Sequence, residues 1–236
     1  MMFVFCGNLF SMNLEEVLDK YEEARGGIDK IKGIESMVAS GKFMMQGMEY
    51  PFTVKQKRPN KMRIDAEIQG MTMTQAYNGE IGWYVMPFMG ATEPEKMPES
   101  QALQFKFQSD MDGYLIDYEE KGYQVELVGK EEMEGTDVYN IEVVTPEDLT
   151  INVYLDAEYF LELKATTKGT VDDTPFEMDT YFGDYKEVAG VMMVHSIESK
   201  VDGQTVSHII IDEIEANSGE IDDSIFDMPE AEGAKE

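Results

Sequence analysis

The stretch Arg58–Phe88, RPNKMRIDAEIQGMTMTQAYNGEIGWYVMPF, decides the fold of this chain. It has the pattern of strand, turn, strand, turn and strand, with turn residues at Gly70 and at Asn78-Gly79. Methionine stands at positions 62, 71, 73 and 86, where valine or isoleucine is the usual choice for a strand. Since thioether side chains are flexible, this β-meander indicates an apolar surface that adapts to ligands, and it carries no catalytic motif.

Apolar and charged residues alternate along this stretch, which predicts a sheet with one apolar and one solvent-exposed face. In 61–68, Met62, Ile64, Ala66 and Ile68 share one face, and the charged residues between them share the other. Similar patterns predict further strands, with turn residues between them. The predicted strands are 36–46, 49–57, 61–69, 71–78, 81–86, 123–130, 136–144, 149–156, 160–168, 175–184, 191–201 and 204–216.

About eleven antiparallel strands make a sheet too wide to stay flat, so we expect it to curl around its apolar face. Asn13 is suited to cap a first helix over 14–25, Gly26-Gly27 would end it, and a short helix over 28–34 would follow. A third helix over 98–107 is either a movable lid or a fixed plug of the curled sheet. The preceding loop, 86–98, contains Pro and Gly and is expected to be flexible.

The chain is expected to form one domain over residues 13–229, because no linker divides it. Residues 1–12 start with ten mostly apolar residues and resemble the remnant of an export signal, and lipidation at Cys6 is an open alternative. The charged tail 230–236 is expected to be disordered, and the preceding segment, 221–226, to dock Ile225 and Phe226 on the core.

The net charge of −29 argues against nucleic acid and against a bare anionic lipid surface as partners. With one cysteine and two histidines, we expect no disulfide, no metal site and no cofactor. Nucleophile, zinc-protease and phosphate-loop motifs are missing from the sequence, so we expect no enzymatic activity. The acidic pairs at 110/112, 172/173 and 222/223 lie in polar, loop-like contexts and are expected to be exposed.

Several motifs resemble the periplasmic lipoprotein carrier family LolA and the related outer-membrane receptor LolB. They are Val54–Asn60, Tyr77–Phe88, Gly26-Gly27 with the following Ile-Lys, Lys121-Gly122 with Val128-Gly129, and the ending Asp222–Pro229. Together they span about residues 14–229, although each motif is short. The resemblance implies a mainly β (α+β) fold, a half-open antiparallel β-barrel of about eleven strands, with an N-terminal helix and a short lid helix over an apolar cavity.

Members of this family hold lipoprotein acyl chains in the cavity, and the family arginine that latches the lid falls on Arg58. From the residues alone, Arg58 is either an exposed strand-end arginine or a donor to backbone carbonyls of a lid, because guanidinium offers five donors. Family cavity positions fall on Met62 and Ile64, which are aromatic in the carrier, so the cargo could be a different lipid. The expected cavity residues are Phe52, Val54, Met62, Ile64, Ala66, Ile68, Met71, Met73, Trp83, Val85, Leu103 and Phe107.

The expected function is non-enzymatic binding and transport of lipoprotein acyl chains or another lipid across the periplasm or envelope. Its partners would be the lipid and membrane proteins that handle lipoproteins, and the protein itself is expected to be an exported monomer. Two alternatives stay open, a structural or interaction module of the envelope with a plugged barrel and a lipid-modifying enzyme.

Overall fold

The structure is a computed structural model that describes residues 12–45, 47–171 and 174–230. The predictions for an export-signal remnant, for Cys6 and for the tail after residue 230 lie outside the described residues. Within these ranges the α-helices are α1 (Leu14–Arg25), α2 (Ile28–Lys32) and α3 (Glu99–Ser109). The third helix therefore starts one residue later and ends two residues later than the sequence predicts.

The strands fall into two groups separated by α3. The first half of the sheet contains β1 (Ser36–Met45), β2 (Met48–Lys57), β3 (Lys61–Ile68), β4 (Met71–Tyr77), β5 (Gly82–Met86) and β6 (Ala91–Lys96). The second group contains β7 (Gln124–Met133), β8 (Thr136–Val144), β9 (Thr150–Asp156), β10 (Glu162–Val171), β11 (Thr174–Gly183), β12 (Lys186–Val188), β13 (Val191–Met193), β14 (Ser196–Val201) and β15 (Gln204–Ala216).

One antiparallel sheet contains all of these strands except β12 and β13. Its order is β6-β5-β4-β3-β2-β1-β15-β14-β11-β10-β9-β8-β7, which makes 13 strands instead of about eleven. The last strand, β15, pairs with β1 and joins the two halves. Because β6 and β7 remain edges, the sheet is not closed, and the predicted half-open antiparallel barrel is confirmed.

The first helix begins and ends where the sequence predicts. The Asn13 side chain accepts from the Glu16 backbone N–H, and the Glu16 carboxylate accepts from the Asn13 N–H, which forms a capping box. Gly26 ends the helix with φ of 118°. A Cβ atom at Gly26 would lie 2.1 Å from the Gly190 carbonyl oxygen, so glycine also permits the close approach of α1 to the β12–β13 hairpin.

The prediction of a flexible loop over 86–98 is wrong. Residues Pro87–Met89 form a 3₁₀ turn, and β6 pairs with β5 through Trp83↔Lys96 and Tyr84↔Glu95. An edge strand needs hydrogen bonds on one side only, so it tolerates Pro94 and several charged residues that obscure the strand pattern. The expected strand 191–201 is likewise interrupted, as β13 turns back on β12 and β14 joins the large sheet.

The helices pack on one face of the sheet, which we call the inner face. On the second half, α1 contributes Val17, Leu18 and Tyr21 to a core with inner-face residues of β8, β9 and β10. We call this the helix-covered core. Five of its members on β8 and β9 are β-branched or leucine and have at most 1 % exposure: Ile141, Val143, Ile151, Val153 and Leu155.

The C-terminal segment docks on the opposite, outer face of the first half. Phe226 is completely buried, as the sequence predicts, and its carbonyl oxygen accepts a hydrogen bond from Trp83 Nε1 at 2.8 Å. Arg63 donates to the Ile225 carbonyl at 2.9 Å, and Lys57 donates to the Asp223 carboxylate at 2.6 Å. Polar bonds to β2, β3 and β5 thus fix a segment that has little regular structure of its own.

Candidate functional site

An apolar wall covers the inner face of β2, β3 and β4. Cross-strand partners in an antiparallel sheet share a face, and the pairs here include Phe52↔Ala66 and Val54↔Ile64. The next pair, Ala66↔Met73, extends the wall to β4. The predicted alternation along β3 is confirmed, because Met62, Ile64, Ala66 and Ile68 all lie on this face.

Two predicted wall residues lie on the outer face instead. The register pairs Trp83 with Ala76 and Val85 with Thr74. Successive side chains on a strand point to opposite faces, so Thr74 and Ala76 lie on the face opposite to the wall residue Met73. Trp83 is buried because the C-terminal segment covers it, so burial here has no relation to a cavity. The predicted run 81–86 does not show which side chains point inward, since its residues are almost all apolar on both faces.

Three further predicted wall residues contribute little to the wall. Met71 ends the wall at a hairpin and is 36 % exposed. On α3, Phe105 and Ala102 pack in the cluster that contains Met62, whereas Leu103 and Phe107 belong to neither cluster on the wall. Phe107 lies instead near Tyr114, with ring centroids 6.3 Å apart.

The chain's own side chains fill the space above the wall. One cluster, the β2–β4 cluster, consists of Tyr50, Phe52, Ala66, Ile68 and Met73, each less than 9 % exposed. Met86, Phe88, Ile209 and Ile211 pack against it. A second cluster, the α3 cluster, joins Phe105 of the helix to Met62, Tyr77 and Met97. A ligand on this wall would therefore have to displace side chains or α3.

Two surface depressions of the described residues lie mainly outside the inner face. One of about 190 Å³ is lined mainly by outer-face residues of β2 and β3, including Thr53 and Asp65. Another of about 490 Å³ lies at the polar β7–β8 turn, near Asp137 and Asp156. The first is smaller than a typical ligand site, and the second lacks the apolar lining that a lipid requires.

Arg58 lies at the center of a charged cluster where the β2–β3 turn meets the helices. Its side chain donates to the backbone carbonyls of Ile31 at 3.0 Å and Ile34 at 2.7 Å, at the C-terminal end of α2. It also binds the Asp112 carboxylate with two nitrogens, at 2.8 and 2.6 Å. Lys32 binds the same carboxylate at 2.6 Å and also binds Asp117.

This Arg58 cluster, which consists of Arg58, Lys32, Asp112 and Asp117, joins three separate elements. Arg58 follows β2, Lys32 belongs to α2, and the two aspartates follow α3. The helix that Arg58 contacts is α2, so its contact with the predicted lid runs only through the segment after α3. Gln56 makes the direct contact with α3, because its side chain donates to the Gln108 carbonyl at 2.9 Å.

The expectation that Asp112 is exposed is wrong, since only 4 % of the residue is accessible. Burial alone would raise the pKa of Asp112, but hydrogen bonds from Arg58 and Lys32 outweigh it and lower the pKa to about 2. Fifty-four positions separate Asp112 from Arg58, so no local pattern reveals the pair. The contacts of Arg58 and Lys32 with the Asp112 carboxylate distinguish this aspartate from the others, and these contacts are visible only in the folded structure.

Other kinds of site find no support in the described part of the chain. No group of three or more His, Cys, Asp or Glu side chains is arranged to hold a metal ion. None of the helices in these ranges combines the length and apolar character needed to cross a bilayer.

Solved structures with this architecture were found by comparison of the whole chain. A LolA superfamily protein from Nitrosomonas europaea matches with a TM-score of 0.62 and 16 % identity, over 92 % of this chain and 98 % of that one. This chain has the LolA-superfamily fold. An outer membrane lipoprotein-sorting protein domain from Vibrio parahaemolyticus matches with a TM-score of 0.61 and 12 % identity, over 90 % and 97 % of the two chains.

A third structure extends the comparison to another family. A DUF1329 family protein from Desulfovibrio piger matches with a TM-score of 0.62 and 14 % identity, over 91 % of this chain and 97 % of that one. No protein-family model matches the sequence. No curated protein matches it either. The resemblance to LolA is thus confirmed for the fold, at identities that carry no information about cargo.

Proposed function

We propose that this protein binds lipid acyl chains on the inner face of its half-open barrel and carries them within the cell envelope without catalysis. The observation that carries the proposal is the apolar wall of β2, β3 and β4, which contains flexible methionine side chains and which the short helix α3 covers near Met62. The architecture shared with a lipoprotein-sorting domain supports it. The candidate contacts are Phe52, Val54, Met62, Ile64, Ala66, Ile68 and Met73.

The free energy of acyl-chain burial calls for a second, opposing element. Burial of one CH₂ group contributes about 0.8 kcal/mol, so a chain of roughly 15 carbons contributes on the order of 12 kcal/mol. Release would be extremely slow unless a conformational change offsets part of this gain. The side chains that pack over the wall provide this opposing free energy, because they must leave their present contacts when a ligand binds.

The Arg58 cluster is the candidate latch of this conformational change. It ties α2 to the segment after α3 through charge-assisted hydrogen bonds, which are the stronger kind. If ligand binding displaces α3, these bonds stabilise the ligand-free, closed state. Weakening them should therefore shift the equilibrium toward the state that binds lipid.

The setting of this activity is part of the proposal. We infer a single functional domain over 13–229, an exported monomer in the periplasm, and transfer partners among membrane proteins that handle lipoproteins. The net charge of −29 suits a soluble carrier that must not adhere to anionic lipid headgroups.

Ligand binding is tested first with the purified protein. Mass spectrometry of an organic extract should find co-purified lipid, and an acyl-chain fluorophore should bind to delipidated protein. Val54→Phe narrows the wall and should weaken fluorophore binding about tenfold. Thr53→Phe places the same ring on the outer face and should leave binding unchanged. Equal effects of the two variants would contradict a site on the inner face.

The latch is tested with a matched pair of arginine variants. Arg58→Leu should raise fluorophore affinity about tenfold and slow its release, because the closed state loses its hydrogen bonds. Arg63→Leu removes an outer-face arginine that binds Asp65 and the Ile225 carbonyl, and it should not change affinity. Circular dichroism checks that both variants fold. Unchanged release in Arg58→Leu would remove the latch from the proposal.

A second candidate function is favoured by the filled wall. Because the two clusters already bury the inner face, the protein could be an interaction module with a permanently plugged barrel. If the protein is such a module, we expect no lipid in the extract and no fluorophore binding at any accessible concentration, although the protein is stably folded. The same extraction and titration therefore decide between the two functions.

A further inference from the structure

Three neighbouring hairpins end in stretches without charge, which is unusual in a chain with 28 % charged residues. The β1–β2 turn lies in 43–48, FMMQGM, the β3–β4 turn in 68–79, IQGMTMTQAYNG, and the β5–β6 turn in 81–92, IGWYVMPFMGAT. From Ile68 to Thr92 the single charged residue is Glu80, at the opposite end of β4. At the chain's average, a stretch of this length would carry several charges.

The topology brings these three turns to one end of the sheet. Strands β1 to β6 are consecutive and antiparallel, so every second turn lies at the same end. Each turn exposes a methionine: Met48 is 51 %, Met71 36 % and Met89 72 % exposed. We call these residues the methionine tips. The β2–β3 turn, with Arg58, lies at the other end of the same strands.

Each methionine tip leads directly to the β2–β4 cluster. The Tyr50 hydroxyl lies 3.5 Å from Met48 Sδ, and Met71 is the cross-strand partner of Ile68. Met89 follows Phe88, which packs against the cluster. An apolar path therefore runs from the exposed tips to the inner wall without crossing a charged residue.

We propose that the methionine tips dock this end of the protein on a lipid surface with no net charge, such as a zwitterionic bilayer. Separate hairpin turns with exposed, flexible apolar side chains can insert between headgroups, whereas a protein partner usually requires a continuous patch. The rest of the chain is strongly acidic, so it repels anionic lipids, and the uncharged tips are the part that tolerates contact with a membrane. Docking would serve to load or deliver an acyl chain, and in this respect the inference rests on the proposed function.

The test measures co-sedimentation of the full chain with vesicles. The wild type should bind phosphatidylcholine vesicles and bind less to vesicles that contain phosphatidylglycerol. The double variant Met48→Gln and Met89→Gln keeps side-chain length and net charge, and its affinity for these vesicles should fall at least about tenfold. The matched control replaces two exposed apolar residues away from the tips, Ile28 and Tyr159, with Gln and should bind like the wild type.

Two further measurements separate this inference from the proposed function and from self-association. Binding of the acyl-chain fluorophore in solution should be unchanged in the tip variant, so loss of vesicle binding alone points to docking. If the fluorophore does not bind but the vesicles do, docking stands and the carrier proposal fails. The docking proposal would be overturned if the wild type did not bind phosphatidylcholine vesicles or if the control variant lost as much vesicle binding as the tip variant. Dimerisation that depends on the tips, without vesicle binding, would also overturn it.

Discussion

The two halves of the sheet bury their inner faces in different ways. On β8 and β9 the inner residues packed with α1 are valine, isoleucine and leucine with at most 1 % exposure, apart from Tyr139 at 9 %. On β2 to β4 the inner residues include methionine and phenylalanine, and Phe52 and Met73 each retain 8 % exposure. Side chains with one preferred rotamer suit a permanent core, whereas flexible ones suit a surface that repacks. The comparison suggests that the second half provides stability and the first half is the part that changes.

The largest expected effect comes from cavities made in each half. Leu155→Ala should lower the free energy of unfolding by about 4 kcal/mol, because its rigid surroundings cannot collapse. Met73→Ala should cost only about 2 kcal/mol, since neighbouring flexible side chains can fill the space. Denaturant unfolding of both variants measures the difference. Equal losses would mean that the β2–β4 cluster is packed as rigidly as the helix-covered core.

A smaller effect is expected at the junction of the two halves. Asp112→Ala leaves Arg58 and Lys32 without their shared partner in a largely buried place, so stability should fall by about 3 kcal/mol. Asp117→Ala is the control, because this carboxylate is more exposed and binds only Lys32 among these groups, and it should cost less than about 1 kcal/mol. Similar losses for the two variants would show that the Arg58 cluster is not centered on Asp112.

The smallest effect is a dependence on pH. The pKa of Asp112 is about 2 in the folded chain against 3.8 for a free side chain, so the folded state binds its proton less tightly than the unfolded state. The resulting stability is present above about pH 4 and is lost as pH falls toward 2, with a magnitude of roughly 2 kcal/mol. Acid unfolding of the wild type and Asp112→Asn measures it. The stability gap between them should shrink over this range, and a constant gap would contradict the assignment.

Much of this fold could be predicted from local patterns. The alternation over 61–68, the cap at Asn13 and the Asn78-Gly79 turn each lie within a few residues, and all agree with the structure. Strand β6 was missed because an edge position tolerates residues that hide a strand. For Trp83 and Val85, a run that is apolar on both faces leaves the register undetermined, and only the pairing with β4 resolves it.

The candidate site was less accessible to sequence reasoning than the fold. Arg58 stands out beside Pro59-Asn60, but its partner Asp112 comes from the segment after α3 and has no distinguishing neighbours in the sequence. The contact face of α3 was also assigned wrongly, because four apolar residues in 102–107 allow more than one face to point inward. Long-range contacts decided both cases, and a single sequence does not contain them.

The docking of Phe226 on Trp83 has a spectroscopic consequence. Trp83 is the only tryptophan of the chain, and its indole is covered by the C-terminal segment on the outer face. Intrinsic fluorescence therefore reports whether the segment 221–229 is attached to the sheet. A chain truncated after residue 220 should show red-shifted emission, while a lipid bound on the inner face should leave the emission wavelength unchanged.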